Sequence, residues 1–233
     1  MTKKAAMNKK TVKSPAAKFD SRPKLTRESI LGKALELADL EGLQALSMRR
    51  LAHALGVEAM SLYHHFANKD RLLDGMIDLV FAEIGLPTTG DWKGRIRTRA
   101  VSTRDALVRH RWALGLMESR TSPGPATLYH HNAVLECLRL NGFSVAAAAH
   151  AYSLLDSYVY GFALQQLNLP FTTFEESGPA AESIMGEVAA GDFPYLIEMA
   201  VEYVLRPGYD YAEEFEIGLR LVLEGIEKLR DEA

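Results

Sequence analysis

Apolar residues recur at intervals of three and four along most of this chain, which is the spacing that one face of an α-helix requires. From Thr26 the residues Ile30, Ala34 and Leu37 follow this period, and Gly42 supplies a natural stop. No stretch shows the sustained alternation of β-branched and polar residues that is typical of a half-buried strand. The pattern therefore predicts an all-α fold.

Composition is that of an ordinary globular protein, because 48% of the 233 residues are hydrophobic and 24% are charged. No apolar run approaches the roughly 18 to 20 residues needed to cross a bilayer, so we expect no membrane span. The N-terminus is charged but has no apolar segment behind it, unlike a secretory signal. A single cysteine, Cys137, makes no internal disulfide, and we expect a cytoplasmic protein.

Charge is distributed unevenly along the chain. Up to Arg27 there are nine lysine or arginine residues against the single acidic residue Asp20, whereas acidic residues are in excess from Leu86 onward. A basic front indicates a polyanionic partner at that end. The alternative is that residues 1–24 form a flexible tail whose lysines only keep it solvated.

The helical pattern divides the chain into a short-helix region and a long-helix region. Thr26, Ser47, Asn68 and Ser144 are expected to cap helices, and Gly56 to separate two short ones. We expect helices over 26–41, 47–55, 58–65, 68–84, 91–109, 111–118, 125–141, 144–168, 175–205 with an interruption near 191–194, and 210–231, with a loop over 169–179. The predicted organisation is a basic tail (1–24), a first helical domain (25–72) and a larger helical domain (73–233).

The segment from Ser47 to Asp74 has the features of a helix-turn-helix. Gly56 permits the positive φ of a tight turn, Val57 packs between the two short helices, and Ala52 is small where they cross. In such a unit the second helix lies in the major groove of DNA. Two packed helices without any DNA-binding role are the alternative. The polar and small side chains expected at the surface of the second helix and just after it are Ala59, Met60, Ser61, Tyr63, His64, His65 and Lys69.

This segment closely resembles the TetR family of transcriptional regulators. The family's signature appears as Gly-Val-x-x-x-Ser-Leu-Tyr-x-His-Phe over 56–66, followed by Asn68-Lys69 and Leu72-Leu73. The resemblance implies an N-terminal three-helix DNA-binding domain and a larger helical domain for ligand binding and dimerisation. It also implies phosphate contacts from Ser47, Ser61, Tyr63, His65 and Lys69, and base contacts from Arg49, Ala59, Met60 and His64.

The C-terminal region resembles the ligand-binding domain of the tetracycline repressor branch, more weakly. This similarity implies a pocket enclosed by helices five to eight and a homodimer formed by the eighth and last helices. An apolar stripe supports a buried face on the last helix, but the stripe could equally pack inside one subunit. Its members are Phe215, Leu219, Val222, Leu223 and Ile226.

Candidate effector-binding residues are Met117, His131 and Tyr158, chosen from a larger set of aromatic and polar side chains in the same region. The tetracycline repressor's drug chelate needs one histidine on the sixth helix and another at the end of the fourth. The corresponding stretches here, 115–120 and 81–85, contain none. We therefore expect an effector other than a tetracycline–magnesium complex, and no cofactor or metal.

Catalytic signatures are absent from the sequence. It contains no His-Glu-x-x-His, no Gly-x-Ser-x-Gly and no phosphate-binding loop, and the adjacent histidines at 64–65 and 130–131 point about 100° apart on a helix. The sequence predicts a non-enzymatic, ligand-responsive repressor that binds double-stranded DNA. Two alternatives remain open at this point: a DNA-binding regulator controlled by a protein partner, and a helical enzyme or ligand carrier with a vestigial DNA-binding unit.

Overall fold

The computed structural model describes residues 25–117, 119, 122–189 and 191–231, and the basic tail of residues 1–24 lies outside this part. The described residues form helices and contain no β-strand, which confirms the all-α prediction. The α-helices are α1 (Arg27–Glu41), α2 (Met48–Leu55), α3 (Ala59–Tyr63), α4 (Lys69–Glu83), α5 (Trp92–Arg109), α6 (Leu114–Met117), α7 (Pro125–Leu140), α8 (Val145–Asn168), α9 (Phe174–Ala189), α10 (Pro194–Met199) and α11 (Tyr211–Asp231).

Polar side chains begin four of these helices where the sequence predicts them. The oxygen of each accepts a hydrogen bond from a backbone N–H in the first turn of its helix, which otherwise has no partner. These caps are Thr26 for α1, Ser47 for α2, Asn68 for α4 and Ser144 for α8. The starts of the helices were predictable because this requirement is local.

Two hydrophobic clusters make up the core, and they meet along α4. The first is built from α1 to α4 and runs in sequence from Ile30 to Met76, whereas the second begins at Ile77 and continues to Ile226 in α11. Three half-buried side chains, Leu35, Trp112 and Leu116, pack against both clusters. The short segment around α6 therefore belongs to the packing of the first four helices as much as to that of the remaining ones.

The apolar stripe of α11 packs inside its own chain, against α8 among others. Four of the five residues in the predicted stripe are buried there, namely Phe215, Leu219, Leu223 and Ile226. Of the two uses left open by the sequence, internal packing is therefore the one the structure shows for these residues. A contact with a second subunit would have to use the opposite faces of α8 and α11.

The segment that follows α8 differs from its prediction as a loop over 169–179. Helix α9 begins already at Phe174, because Thr173 Oγ1 accepts from the backbone N–H of Glu176 at 3.4 Å and Thr172 is held by the Glu176 carboxylate. Gly178 then bends the helix. The predicted helix over 111–118 is also shorter, since 111–113 form a 3₁₀ turn before α6.

Candidate DNA interface and effector site

A left-handed glycine sets the angle between α2 and α3. Gly56 has φ 67° and ψ 32°, and its N–H donates to the carbonyl groups of Ala52 and His53. The backbone N–H of Val57 then donates to the carbonyl of Ala52 at 3.0 Å. These hydrogen bonds end α2, and α3 begins after two further residues. Glycine is needed at this position because it adopts such a φ without strain.

One side of helix α3 packs against the first hydrophobic cluster, and the opposite side, its front, is exposed. Leu62 and Phe66 are completely or almost completely buried in the first hydrophobic cluster. Met60 is 69% exposed and Tyr63 43% exposed, and His64 is exposed as well. The remaining predicted contact residues of this segment are half-buried, namely Ala59, Ser61, His65 and Lys69. The helix is one turn shorter than predicted, but it presents an exposed surface of small, aromatic and imidazole side chains.

Two adjacent arginines on α2 have different surroundings. Arg50 is paired with Glu41 of α1, and this pairing raises the pKa of its guanidinium. Arg49 is exposed and makes no hydrogen bond or ion pair within the described residues. The hydroxyl oxygen of Ser47 accepts from the backbone N–H of Arg50 at 3.2 Å, which leaves its own O–H free to donate. Arg49 and Ser47 are therefore available to an external acceptor.

A contact that sequence reasoning missed holds the end of α3 against α1. The guanidinium of Arg27 lies 4.1 Å from the ring centroid of Phe66, and its Nη1 donates to the backbone carbonyl of His65 at 2.9 Å. A charge-assisted bond and a cation–π contact together stabilise this turn. No sequence signal marked Arg27, because the pairing spans 38 positions.

A side chain of α4 caps the N-terminus of α7 and so joins the two helices. The Asp78 carboxylate accepts from the backbone N–H of Thr127 at 2.9 Å and from its hydroxyl at 3.2 Å. Gly124, at the start of α7, leaves the room this requires, because a Cβ at that position would lie 2.3 Å from Asp78. The start of α7 is thereby bonded directly to α4, which carries residues of both clusters.

A cavity of about 150 Å³ lies beside this junction and brings together two of the three predicted effector residues. Met117 and His131 line it, together with Phe81 and Thr127. Tyr158 does not line the cavity. Its ring stacks on that of Phe215, with 5.4 Å between the ring centroids, and its hydroxyl donates to the Phe215 carbonyl at 2.9 Å. We therefore leave Tyr158 out of the effector site and assign it to the packing of α8 on α11.

A buried charged residue in α5, Arg99, was also missed by sequence reasoning. It lies on the stripe Trp92, Ile96, Arg99 and Thr103, whose spacings of four, three and four mark an inward-facing position. An arginine in the middle of such a stripe is a signal that the sequence does contain. Among the described residues no group of three or more His, Cys, Asp or Glu side chains could hold a metal ion.

Comparisons with known proteins agree with this geometry along most of the chain. The family described as "Bacterial regulatory proteins, tetR family" matches residues 30–76, and "Tetracyclin repressor-like, C-terminal domain" matches residues 84–230. The chain belongs to the TetR family. It is thus a DNA-binding transcriptional regulator with a helix-turn-helix, and no helix in the described ranges is long and apolar enough to cross a membrane.

Relatives of this TetR-family chain are similar over most of their length. The HTH-type transcriptional repressor DrrR1 of Streptomyces coeruleorubidus is 32% identical over 218 residues, which cover 89% of this chain and 79% of that protein. The class C tetracycline repressor protein of Escherichia coli is 31% identical, with 89% of this chain and 93% of that protein covered. The ActR protein of Streptomyces coelicolor, solved in complex with actinorhodin, is 30% identical with a TM-score of 0.73, over 88% of this chain and 98% of that one.

Proposed function

We propose that this chain is a ligand-responsive repressor that binds a palindromic operator as a homodimer and leaves it when a small-molecule effector binds. The observation that carries the proposal is the exposed front of α3, where Met60, Tyr63 and His64 project from a helix fixed by Leu62 and Phe66. Similar proteins support it, since two carry the name repressor and one was solved with a bound small molecule. We assign the DNA-binding unit to residues 25–72 and the effector and dimer unit to 73–233.

Roles on the DNA follow from donor chemistry and exposure. Hydroxyl, imidazole and ammonium groups suit phosphate oxygens, and we assign these contacts to Ser47, Ser61, Tyr63, His65 and Lys69. Arginine matches guanine bidentately, and small apolar groups contact the thymine methyl. We assign base contacts to Arg49, Ala59, Met60 and His64. Arg49 supports this assignment best because it is exposed and unpaired within the described residues.

The dimer surface that we propose is the outer face of α8 and α11. Leu154 and Leu164 on α8 are exposed, as are Ile217 and Leu221 on α11. Two helices that pack together and also expose apolar side chains favour a four-helix contact with a second copy. A two-fold dimer presents two α3 helices, as a palindromic operator requires.

The effector site that we propose is the cavity lined by Met117 and His131. It lies between α4 and α7, so that occupancy changes the position of α4 and, through it, the separation of the two DNA-binding units. The cavity is smaller than the ~300 to 1,000 Å³ of most ligand pockets. This observation favours the second candidate function, a DNA-binding regulator controlled by a protein partner, unless the cavity expands on binding.

A gel-shift experiment with the DNA upstream of the gene that encodes this chain tests the proposal. We expect a discrete shifted band at low salt, where phosphate contacts are strongest, that resists competition by unrelated DNA. The absence of any shift would count against a DNA-binding role. A thermal-shift screen against a small-molecule library, followed by release of the shifted DNA, separates the two candidates: if no compound stabilises the protein or releases the DNA, a protein partner is favoured.

A further inference from the structure

Arg99 is a buried cation whose hydrogen-bonding capacity is mostly unused. Its side chain is 2% exposed, and one atom, Nη1, contacts Asp156 of α8 at 3.4 Å. That distance is long for a charge-assisted bond, which is usually about 2.7 to 2.9 Å. The other two nitrogens, Nε and Nη2, have no partner among the described residues. Buried donors without partners are rare because their desolvation is costly.

The two unused nitrogens form one edge of the guanidinium group. Their N–H bonds run side by side, in the geometry that matches the two oxygens of a carboxylate. Asp156 lies on the other side of the guanidinium and also interacts with Tyr152. The pKa of Tyr152 is raised first by burial, and then by the charge of Asp156 and a hydrogen bond to it. The protein therefore supplies one loosely held carboxylate for this arginine and leaves its bidentate edge empty.

A second unused polar atom lies in the same part of the core. His130 on α7 is 4% exposed, and its Nδ1 has no hydrogen-bond partner within the described ranges. Burial, followed by the positive charge of Arg99, lowers the pKa of His130, so the imidazole is neutral at neutral pH. A neutral imidazole close enough to be affected by the charge of Arg99 can donate one more hydrogen bond to an anion. It does so without electrostatic repulsion between the imidazole and the guanidinium.

This polar cluster, Arg99, His130, Tyr152 and Asp156, shares a wall with the effector cavity. Two residues that line the cavity touch members of the cluster: the Phe81 ring is 6.1 Å from that of His130, and the His131 ring is 5.5 Å from that of Tyr152. A rearrangement of these aromatic side chains would connect the cavity to the polar cluster. The combined space would also be larger than the cavity alone.

Resting on the proposed function, we infer that the effector is a carboxylic acid with an apolar or aromatic body. Its carboxylate binds Nε and Nη2 of Arg99 bidentately and accepts from His130 Nδ1. Its body occupies the cavity between Phe81, Met117 and His131. Binding supplies the partners that the ligand-free protein lacks, and this couples recognition of the acid to the positions of α5, α7 and α4.

Thermal shift of the full chain with matched probes tests the inference. The probes are sodium benzoate and sodium 2-naphthoate, each compared with its neutral amide, at millimolar concentration. We expect the acids to raise the Tm by at least about 2 °C more than the amides, and Arg99→Met to abolish that difference. The variant Arg104→Met is the control, because Arg104 lies on the same helix and all its nitrogens are hydrogen-bonded. Acids and amides that act alike on the wild type would overturn the inference.

A ligand-free measurement gives an independent test. The double variant Arg99→Met/Asp156→Asn removes both charges, and we expect its Tm to equal or exceed that of the wild type, because an arginine reserved for a ligand costs stability in its absence. A fall of more than about 4 °C would show a structural ion pair and overturn the inference. Gel shifts separate the two levels of the proposal: the double variant should still bind DNA, and failure of the wild type to bind would instead contradict the proposed function.

Discussion

The Nδ1 atom of His110 lies 2.8 Å from a carboxylate oxygen of Asp39, which joins the end of α5 to helix α1. The other ring nitrogen, Nε2, lies 3.1 Å from a carboxylate oxygen of Glu83 at the end of α4. Trp112 adds a bond from its indole N–H to the same Asp39 oxygen at 2.6 Å. One buried imidazole therefore links α1 of the DNA-binding unit to the ends of α4 and α5.

Removal of this imidazole should destabilise the protein more than removal of a neighbouring surface charge. We expect His110→Ala to lower the free energy of unfolding by about 1 to 3 kcal/mol, because each of two carboxylates loses one of its hydrogen-bond partners and a buried imidazole is removed. Arg109 is the matched control, since it bonds the same Glu83 oxygen but is mostly exposed, and Arg109→Ala should cost less than about 1 kcal/mol. Urea unfolding measures both, and equal losses would contradict a structural role for His110.

Arg49 should determine preference at one base position. We expect Arg49→Ala to cost about 1 to 3 kcal/mol of binding to the operator and to relax preference at that position, since a bidentate guanine contact is lost. Arg50→Ala removes the same charge from a residue already paired with Glu41, and should leave base preference unchanged. Titrations against operators with single base changes measure this. An unaltered preference in the Arg49 variant would refute the assignment.

Tyr63 and Lys69 should contribute affinity without specificity. Tyr63→Phe and Lys69→Ala are expected to weaken binding to all sequences by similar factors, because phosphates carry no sequence information directly. Loss of the lysine should also reduce the slope of log affinity against log salt by about 1. Binding measured at several salt concentrations checks both, and a sequence-dependent loss would show that these side chains reach the bases.

The outer face of α11 should hold the dimer together. Leu221 is exposed in the single chain, and we expect Leu221→Arg to shift the equilibrium toward monomer by at least tenfold, because burial of a guanidinium in an apolar contact removes its hydration. Leu140→Arg, at an exposed leucine outside the proposed surface, is the control. Sedimentation at several protein concentrations measures the change, and a variant that stays as dimeric as the control would exclude this face.

Acid should destabilise the fold through His130. Burial and the charge of Arg99 hold its pKa below the ordinary value of about 6.5, so the unfolded chain binds the proton more readily than the folded one. The resulting stability is complete above about pH 6.5 and is lost as the pH falls below that value. Chemical unfolding at pH 7.5 and pH 5.5 should show a smaller loss for His130→Phe and His130→Gln than for the wild type. An identical loss would assign the acid sensitivity elsewhere.

Local requirements made the DNA-binding unit predictable from the sequence. The left-handed turn at Gly56 and the caps at Ser47 and Asn68 depend on a few neighbouring residues, so their signals survive in the sequence. The inward positions of Leu62 and Phe66 follow from helical spacing alone. The tail over 1–24 lies outside the described residues, and its role stays a prediction.

Contacts between distant elements were not predictable in the same way. Periodicity indicates that Tyr158 faces inward, but it does not say whether a ligand or another helix meets it, and the structure places Phe215 there. The partners of His110 lie 71 and 27 positions away, with no motif to connect them. Arg99 is the intermediate case, because its place in an apolar stripe is visible although its empty edge is not.

Leu116 packs against both hydrophobic clusters, and the next residue, Met117, lines the cavity. A molecule that displaces Met117 would therefore also displace Leu116, the preceding residue, whose side chain contacts both hydrophobic clusters. With an effector at the site that we propose, a signal from ligand to DNA would need no long relay through the fold. Its sensitivity should depend on the volume at position 116, so that the response of this regulator can be tuned without altering any atom that touches either the ligand or the DNA.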